Sequence, residues 1–184
     1  MNSDERPERQ LDPEGLGDHI DRLFRAAWSL CGSREEAEDL VQETFARVLR
    51  KPRILRSEDD LGYLLRVLRN TFFSQRRTAA RRPQTAPLPE DLDVIEDRSA
   101  IQPEARIESA ELYAAISALP DDFRDALVAI DVVGLSYREA AQVLKVREAT
   151  ITTRLHRARQ RVASALVAAE SKPTAPRSPQ TPQS

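Results

Sequence analysis

The sequence predicts an all-α protein of two small helical domains joined by an acidic, proline-containing linker. Apolar residues recur at the three- and four-residue steps of an amphipathic helix along most of the chain. Only 5 of the 184 residues are glycine, and β-branched residues show little of the alternation that strands require. A stretch rich in proline and acidic residues interrupts the helical pattern near the middle of the chain, which indicates a linker.

Composition restricts the class of protein. Hydrophobic residues make up 40% of the chain and aromatic residues 5%, which suits helical cores but not one large core. The net charge is −2, so any nucleic-acid binding must depend on local clusters of charge. Cys31 is the only cysteine, which excludes a disulfide framework and favours a reducing compartment. The polar amino terminus does not resemble a signal peptide and no apolar run reaches membrane-spanning length, so we expect a cytoplasmic protein.

The pattern divides the chain into five segments. We expect a disordered amino terminus over residues 1–13, a first domain over 14–82, a linker over 83–103, a second domain over 104–169 and a disordered tail over 170–184. The terminal segments are polar, and the tail is rich in proline and serine, a composition that cannot bury enough apolar surface to fold. The linker alternates prolines with acidic residues and keeps no helical period.

Three helices are expected in the first domain. The first runs from Asp18 to Cys31 and carries one apolar stripe, so its tryptophan and cysteine are interpreted as core residues. The second begins at a capping box made by Ser33 and Glu36 and extends to about Arg50. Its apolar face consists of Ala37, Leu40, Val41, Thr44, Phe45, Val48 and Leu49.

The third helix, from Leu61 to about Ala80, has an unusual charge pattern. Between Leu61 and Arg82 there is no acidic residue, whereas arginines stand at positions 66, 69, 76, 77, 81 and 82. One-sided positive charge is typical of a surface that binds nucleic acid. A basic helix face exposed to solvent would have the same pattern, although the complete lack of acidic residues favours the first interpretation.

The second domain is expected to contain two scaffold helices followed by a helical hairpin. The scaffold helices end at Pro120 and at Gly134, a residue suited to a helix C-terminus. Ser136 and Glu139 then form a capping box at the start of a short helix. The longer helix after it buries Ile151, Leu155, Ala158 and Val162 and exposes Arg147, Thr150, Thr152, Arg154, Arg157, Arg159 and Arg161. This pattern fits a DNA-binding helix-turn-helix or an ordinary hairpin with a solvated basic face.

Three segments resemble bacterial sigma factors of the extracytoplasmic-function subfamily. The segment GLSYREAAQVLKVREATITTRLHRARQRV is similar to the module that reads the minus-thirty-five promoter element. The segment EAEDLVQETFARV resembles the part that docks on the coiled coil of the polymerase β′ subunit, and GYLLRVLRNTFFSQRR resembles the part that melts and reads the minus-ten element. The resemblance covers residues from about Leu23 to about Leu166, with the segments in family order.

The resemblance implies three groups of functional residues. The residues expected to bind polymerase are Asp39, Leu40, Val41, Gln42 and Glu43. Those expected to contact minus-ten DNA are Arg66, Arg69, Asn70, Arg76 and Arg77. Those expected to contact minus-thirty-five DNA are Arg138, Arg147, Thr150, Thr152, Arg154, Arg157 and Arg159. Lys145 stands where the family usually has glycine, Arg147 where it has proline and Thr152 where it has lysine; we expect the last two to change which promoter is read.

The resemblance therefore implies a sigma factor that is not an enzyme. Its expected partners are promoter DNA, core RNA polymerase through the β′ coiled coil and the β flap, and an anti-sigma factor, which in this family is often membrane-bound. The chain has no phosphate-binding glycine loop, metal-ligand spacing or nucleophile–base set, and we expect no cofactor or metal. The alternative is a two-domain helix-turn-helix regulator that binds duplex DNA without polymerase.

Overall fold

A computed structural model describes residues 9–10, 15–50, 54–55, 60–81 and 103–170, and within these ranges the protein is almost entirely helical. The α-helices are α1 (Ile20–Cys31), α2 (Arg34–Arg50), α3 (Asp60–Arg81), α4 (Pro103–Ser117), α5 (Asp121–Leu127), α6 (Tyr137–Leu144) and α7 (Glu148–Glu170). A 3-10 turn (Gly15–His19) precedes α1, and a π-helical segment (Val128–Val132) continues α5. The predicted all-α class is confirmed. No helix within the described ranges is both long enough and apolar enough to cross a membrane.

One short strand pair lies outside the prediction. Residues Arg9–Gln10 (β1) pair antiparallel with Ile54–Leu55 (β2). The prediction that all of residues 1–13 are disordered is therefore wrong for β1, because the backbone groups of these two extended segments pair with each other. The remainder of that segment, residues 83–102 of the predicted linker and residues 171–184 of the predicted tail lie outside the described residues. The last linker residue, Pro103, and the first tail residue, Glu170, instead belong to α4 and α7.

The first three helices pack around leucines. Leu23, Leu40, Leu64 and Leu68 are completely buried where α1, α2 and α3 meet. Gly32 ends α1 in the left-handed conformation, with φ of 78°, and its N–H donates to the carbonyl oxygen of Trp28. Two residues of the predicted apolar stripes are exposed, Ile20 by 47% and Leu49 by 53%. Each lies at an end of its helix, beyond the central part that its neighbours cover.

The last four helices form a second group around α7. Its predicted apolar stripe is confirmed: Ile151, Leu155, Ala158 and Val162 are buried against α4, α5 and α6. Gly134 takes a φ of 84°, as expected of a glycine that ends a helix. Before it the helix widens, since the N–H of Val133 donates to the carbonyl oxygen of Val128, five residues earlier.

The two groups of helices pack directly on each other. Helix α1 contacts α4 and the π-helical segment, and α3 contacts α6, so buried residues from both groups belong to one continuous apolar cluster. The Trp28 and Tyr113 rings stack across this contact with their centroids 4.3 Å apart. We call this contact between the two groups of helices the seam.

Candidate nucleic-acid interface

The helix-turn-helix begins at a complete capping box. Ser136 Oγ accepts a hydrogen bond from the backbone N–H of Glu139 at 3.3 Å, and Glu139 Oε2 accepts one from the backbone N–H of Ser136 at 2.7 Å. The hydrogen bond from the Ser136 hydroxyl, reinforced by the backbone one, lowers the pKa of the Glu139 carboxyl. Ala140 and Ala141 are buried, and their small side chains allow α6 to cross α7 closely. The predicted motif is therefore present with its amino terminus fixed.

The turn between α6 and α7 depends on a lysine in an unfavourable backbone conformation. Lys145 has φ of 56° and ψ of 45°, and its N–H donates to the carbonyl oxygen of Ala141. The N–H of Val146 donates to the same oxygen at 3.0 Å. Among the described non-glycine residues, Lys145 is the only one with a positive φ. The lysine thus occupies a position where glycine would be less strained.

The turn before α7 and the start of α7 carry polar side chains that face solvent and form no ion pair with any described residue. Arg147 and Thr152 are exposed, Thr150 is half-buried, and Arg138 of α6 is exposed as well. Thr152 Oγ1 donates to the carbonyl oxygen of Glu148 at 3.2 Å, which leaves its methyl group free to face a partner. No described residue forms an ion pair with Arg138, Arg147 or Arg157. This end of the helix therefore offers cations and a small polar side chain, the groups that major-groove contacts use.

Two arginines further along α7 are already paired with aspartates. Arg154 donates to Asp122 Oδ2 at 2.7 Å. Arg159 makes two parallel hydrogen bonds to the Asp131 carboxylate, at 2.8 and 2.6 Å. Both aspartates precede the helix-turn-helix, within α5 and the π-helical segment. These pairs orient the two arginines, but each guanidinium must exchange a carboxylate for a phosphate before it can bind DNA.

The basic surface of α3 is divided in the same way. Arg66, Asn70 and Arg77 are exposed along one side of the helix. Arg69, in contrast, donates to Asp125 Oδ2 at 2.6 Å and lies over the Phe73 ring at 4.9 Å. Arg76 lies 3.7 Å from Asp121 Oδ1 and 5.5 Å from the centre of the Phe72 ring. Of the five predicted minus-ten residues, Arg69 is therefore hydrogen-bonded at the seam, whereas Arg76 makes only a longer, exposed ion pair there.

Asp125 occupies an unusual environment for a carboxylate. Its side chain is only 3% exposed. Burial raises the pKa of the Asp125 carboxyl, and the neighbouring Arg69 guanidinium opposes that shift. Arg124, next to it, is also buried; it pairs with Asp121 and donates to the carbonyl oxygen of Ser117 at 3.1 Å.

The predicted polymerase-binding residues on α2 fall into two sets. Asp39 and Gln42 are exposed, and Glu43 is partly exposed beside Arg47, whose hydrogen bond at 2.7 Å lowers the pKa of Glu43. Leu40 and Val41 are buried, at 0% and 8% exposure, because they belong to the apolar stripe that packs on α1 and α3. Their inclusion in a docking face is therefore corrected: they support that face from beneath and do not reach its surface.

The sequence interpretation missed the acidic side of the site. Asp121, Asp122, Asp125 and Asp131 each bind an arginine, yet α5 was interpreted only as scaffold. The available signal was the density of aspartates in PDDFRDALVAID, in a chain that has two arginine-rich helices and yet a net charge of only −2. When acidic and basic residues are present in nearly equal number, ion pairs within the protein are favoured.

Comparison with known proteins gives consistent matches. The family model described as Sigma-70 region 2 matches residues 16–82, and that described as Sigma-70, region 4 matches residues 109–162. The chain is 40% identical over 148 residues to the ECF RNA polymerase sigma factor SigE of Mycolicibacterium smegmatis; the match covers 78% of this chain and 57% of that protein, so the chain spans little more than half of its length. It is 33% identical over 149 residues to the ECF RNA polymerase sigma factor EcfG of Rhodopseudomonas palustris, with 80% of each covered.

Among solved structures, the fold is similar to that of the sigma factor RpoE from Bartonella quintana, which was crystallised in complex with the anti-sigma factor NepR. The TM-score is 0.62 at 25% sequence identity, and the match covers 84% of this chain and 95% of that one. The similarity extends over both groups of helices.

Proposed function

The chain belongs to the extracytoplasmic-function family of RNA polymerase sigma factors, and from that premise we propose that it directs core polymerase to specific promoters and takes part in initiation without being an enzyme. The observation that carries this proposal is the presence of both sigma-70 regions in family order on one chain. The exposed cations at the start of α7 and along α3 support it, because each region offers its own surface to DNA.

The first domain, residues 14–82, has two tasks in this proposal. Asp39, Gln42 and Glu43 dock on the β′ coiled coil, where complementary charge favours orientation and rapid association. Arg66, Asn70 and Arg77, joined by Arg69 and Arg76, hold the minus-ten strand while its bases leave the stack. Holding a single strand requires cations for the backbone, and this surface supplies only cations and neutral groups.

The second domain, residues 104–169, reads the minus-thirty-five element. The amino-terminal part of α7 enters the major groove, as recognition helices do. Arg147, Thr150 and Thr152 then meet base edges, while Arg138, Arg154, Arg157 and Arg159 contact phosphates. The scaffold beneath the motif contacts the β flap, and the linker over 83–103 connects the two domains.

The alternative of a polymerase-independent regulator loses its support. Such a regulator needs only the helix-turn-helix. The regulator hypothesis does not explain why residues 16–82 match sigma-70 region 2. Polymerase and promoter DNA also place the site of action in the cytoplasm. By analogy with the Bartonella relative, which binds an anti-sigma factor, we propose that an anti-sigma factor regulates this protein.

Run-off transcription tests this function. Purified core polymerase is supplied with a genomic fragment library, with and without the protein, and the transcripts are sequenced. We expect new discrete start sites that require the protein. A variant carrying Asp39→Ala, Gln42→Ala and Glu43→Ala should lose them, because the docking face is removed while the buried core of α2 stays intact.

Glu35→Ala serves as the matched control, since Glu35 is an exposed acidic residue in the first turn of α2 and is not one of the predicted docking residues. It should retain all start sites. The absence of protein-dependent transcripts, together with tight duplex binding by the protein alone, would contradict the proposal and favour the regulator.

A further inference from the structure

The turn of the helix-turn-helix is fixed around a lysine whose backbone conformation favours glycine. Lys145 has φ of 56°, and the N–H groups of Lys145 and Val146 both donate to the carbonyl oxygen of Ala141. Leu144 and Val146, on either side of the lysine, are packed against the apolar cluster. Hydrogen bonds and packing therefore determine the shape of the turn, and Lys145 cannot leave its strained conformation without breaking them.

Nothing inside the protein explains why a long side chain stands at this position. The Lys145 side chain is exposed. No described residue forms a hydrogen bond or an ion pair with it, and that includes Glu148, the nearest acidic residue along the chain. Strained backbone conformations concentrate at functional sites, where the side chain serves a purpose other than stability. The ammonium group of Lys145 is therefore available to a partner outside the protein.

Lys145 also continues a polar row that runs along α6. Arg138, Gln142 and Lys145 follow each other at steps of four and three residues, which places them on one side of the helix, and all three are exposed. At the rise of an α-helix, Arg138 and Lys145 lie about 10 Å apart along the axis. Arg147, two residues further on, is exposed just before α7 begins. The row thus leads from the first helix of the motif to the start of the second.

We propose that Lys145 is a further DNA-binding residue, which contacts a backbone phosphate at the edge of the major groove that α7 enters. In a helix-turn-helix the first helix crosses the DNA backbone and the second enters the groove, so the turn that joins them lies close to the phosphates that border the groove. A lysine suits this contact, because its ammonium is a point charge on a flexible stem and requires no fixed geometry. This inference rests on the proposed function, since it adds a contact to the minus-thirty-five surface.

The proposal predicts that one substitution changes stability and DNA binding in opposite directions. Lys145→Gly removes the strain of the turn together with the charge. We expect this variant to unfold at a higher urea concentration, and its holoenzyme to bind promoter DNA more weakly. Loss of binding therefore cannot be attributed to a damaged fold, and a residue that only shaped the turn would not separate the two measurements.

Salt dependence tests whether the lost contact is to a phosphate. A labelled promoter found by run-off transcription is titrated with holoenzyme that contains either the unsubstituted protein or Lys145→Gly. Each phosphate contact contributes about 0.9 to the slope of log affinity against log salt, so the ratio of the two affinities should fall about 3.5-fold between about 50 mM and about 200 mM salt. The loss should be the same for different promoters, because phosphates carry no sequence information.

Three further variants serve as controls. Lys145→Arg keeps the charge and should retain the salt slope. Lys145→Gln keeps the Cβ, and hence the strain, but removes the charge, so its slope should fall as far as that of Lys145→Gly. Arg22→Ala removes a charge from an exposed residue of α1 that belongs to neither predicted DNA-binding surface, and it should leave the slope unchanged.

An unchanged salt slope for Lys145→Gly or for Lys145→Gln would overturn the inference. A loss of affinity restricted to particular promoters would also overturn it, because such a loss indicates contact with bases. Failure of the proposed function looks different: holoenzyme that contains the unsubstituted protein would then show no promoter-specific binding, and the inference would fall with it.

Discussion

The arginines of α7 differ in what they already bind, and this difference predicts unequal effects on DNA binding. Arg157 has no ion-pair partner among the described residues, whereas Arg159 is held by two hydrogen bonds to Asp131. Arg157→Ala should weaken all promoters alike and reduce the salt slope of holoenzyme binding by about one unit. Arg159→Ala should reduce promoter affinity less, because in the unbound protein Arg159 must first break its hydrogen bonds to Asp131 before it can contact DNA. Promoter affinity measured over a salt series checks both expectations; a larger loss for Arg159→Ala would contradict them.

Promoter preference should depend on the residues at the start of α7. Arg147 and Thr152 are exposed at the end of the helix that would enter the groove. Arg147→Ala or Thr152→Lys should therefore change the ranking of promoters by about 1–3 kcal/mol for each base contact altered. Run-off transcription from a promoter library measures the ranking, and a uniform loss across all promoters would instead assign these residues to phosphate contacts.

Cys31 should react as a partly buried thiol with a raised pKa. Burial, with a smaller contribution from Glu36, raises the pKa of the Cys31 thiol to about 12. The neutral thiol therefore persists throughout the physiological range, and the thiolate, which is the reactive form, should increase tenfold for each pH unit. We expect the logarithm of the alkylation rate to rise linearly from about pH 7 to about pH 10. A plateau near the ordinary thiol pKa of about 8.5 would contradict the burial.

At the scale of the element, the turn of the helix-turn-helix should be improved by a single substitution. Lys145 has a positive φ, which costs a residue with a Cβ about 1–2 kcal/mol. Lys145→Gly should therefore raise the free energy of unfolding by about 0.5–1 kcal/mol, after allowance for the greater freedom of glycine in the unfolded chain. Urea unfolding measures the change. Lys145→Ala is the control and should give no gain, because alanine retains the Cβ.

Local patterns in the sequence predicted most of the helices. The Ser136–Glu139 capping box and the apolar stripe of α7 specify where the helix-turn-helix begins and which side of it is buried, because both depend on residues close in sequence. Leu40 and Val41 could not be placed from the resemblance alone. The family segment includes core and surface residues together, and only the packing of α2 on α1 and α3 separates them.

At the scale of the whole molecule, the sequence did not predict the seam. An apolar stripe shows that a helix face is buried, but it does not show against which element. Trp28 was interpreted as a core residue of the first domain, and its ring in fact stacks on Tyr113 of the second. The pairing of Asp125 in α5 with Arg69 in α3 likewise could not be predicted from local sequence, since the two residues are 56 positions apart in the chain.

The packing of the two groups of helices bears on the proposed function. In a sigma factor, region 2 and region 4 must reach promoter elements that are separated along the DNA, whereas here their helices share one apolar cluster. Core polymerase would favour a form in which the two groups are separated to the extent that it binds that form more tightly. Binding of polymerase and of promoter should then reinforce each other.

The most direct test of the central claim is promoter binding with and without core polymerase. A promoter found by run-off transcription is labelled, and its affinity for the protein is measured alone and after addition of saturating core. We predict weak, salt-sensitive binding by the protein alone and an increase in affinity of at least about a hundredfold with core, which corresponds to coupling at the upper end of the usual range. Tight, sequence-specific binding by the protein alone that core does not change would contradict the account.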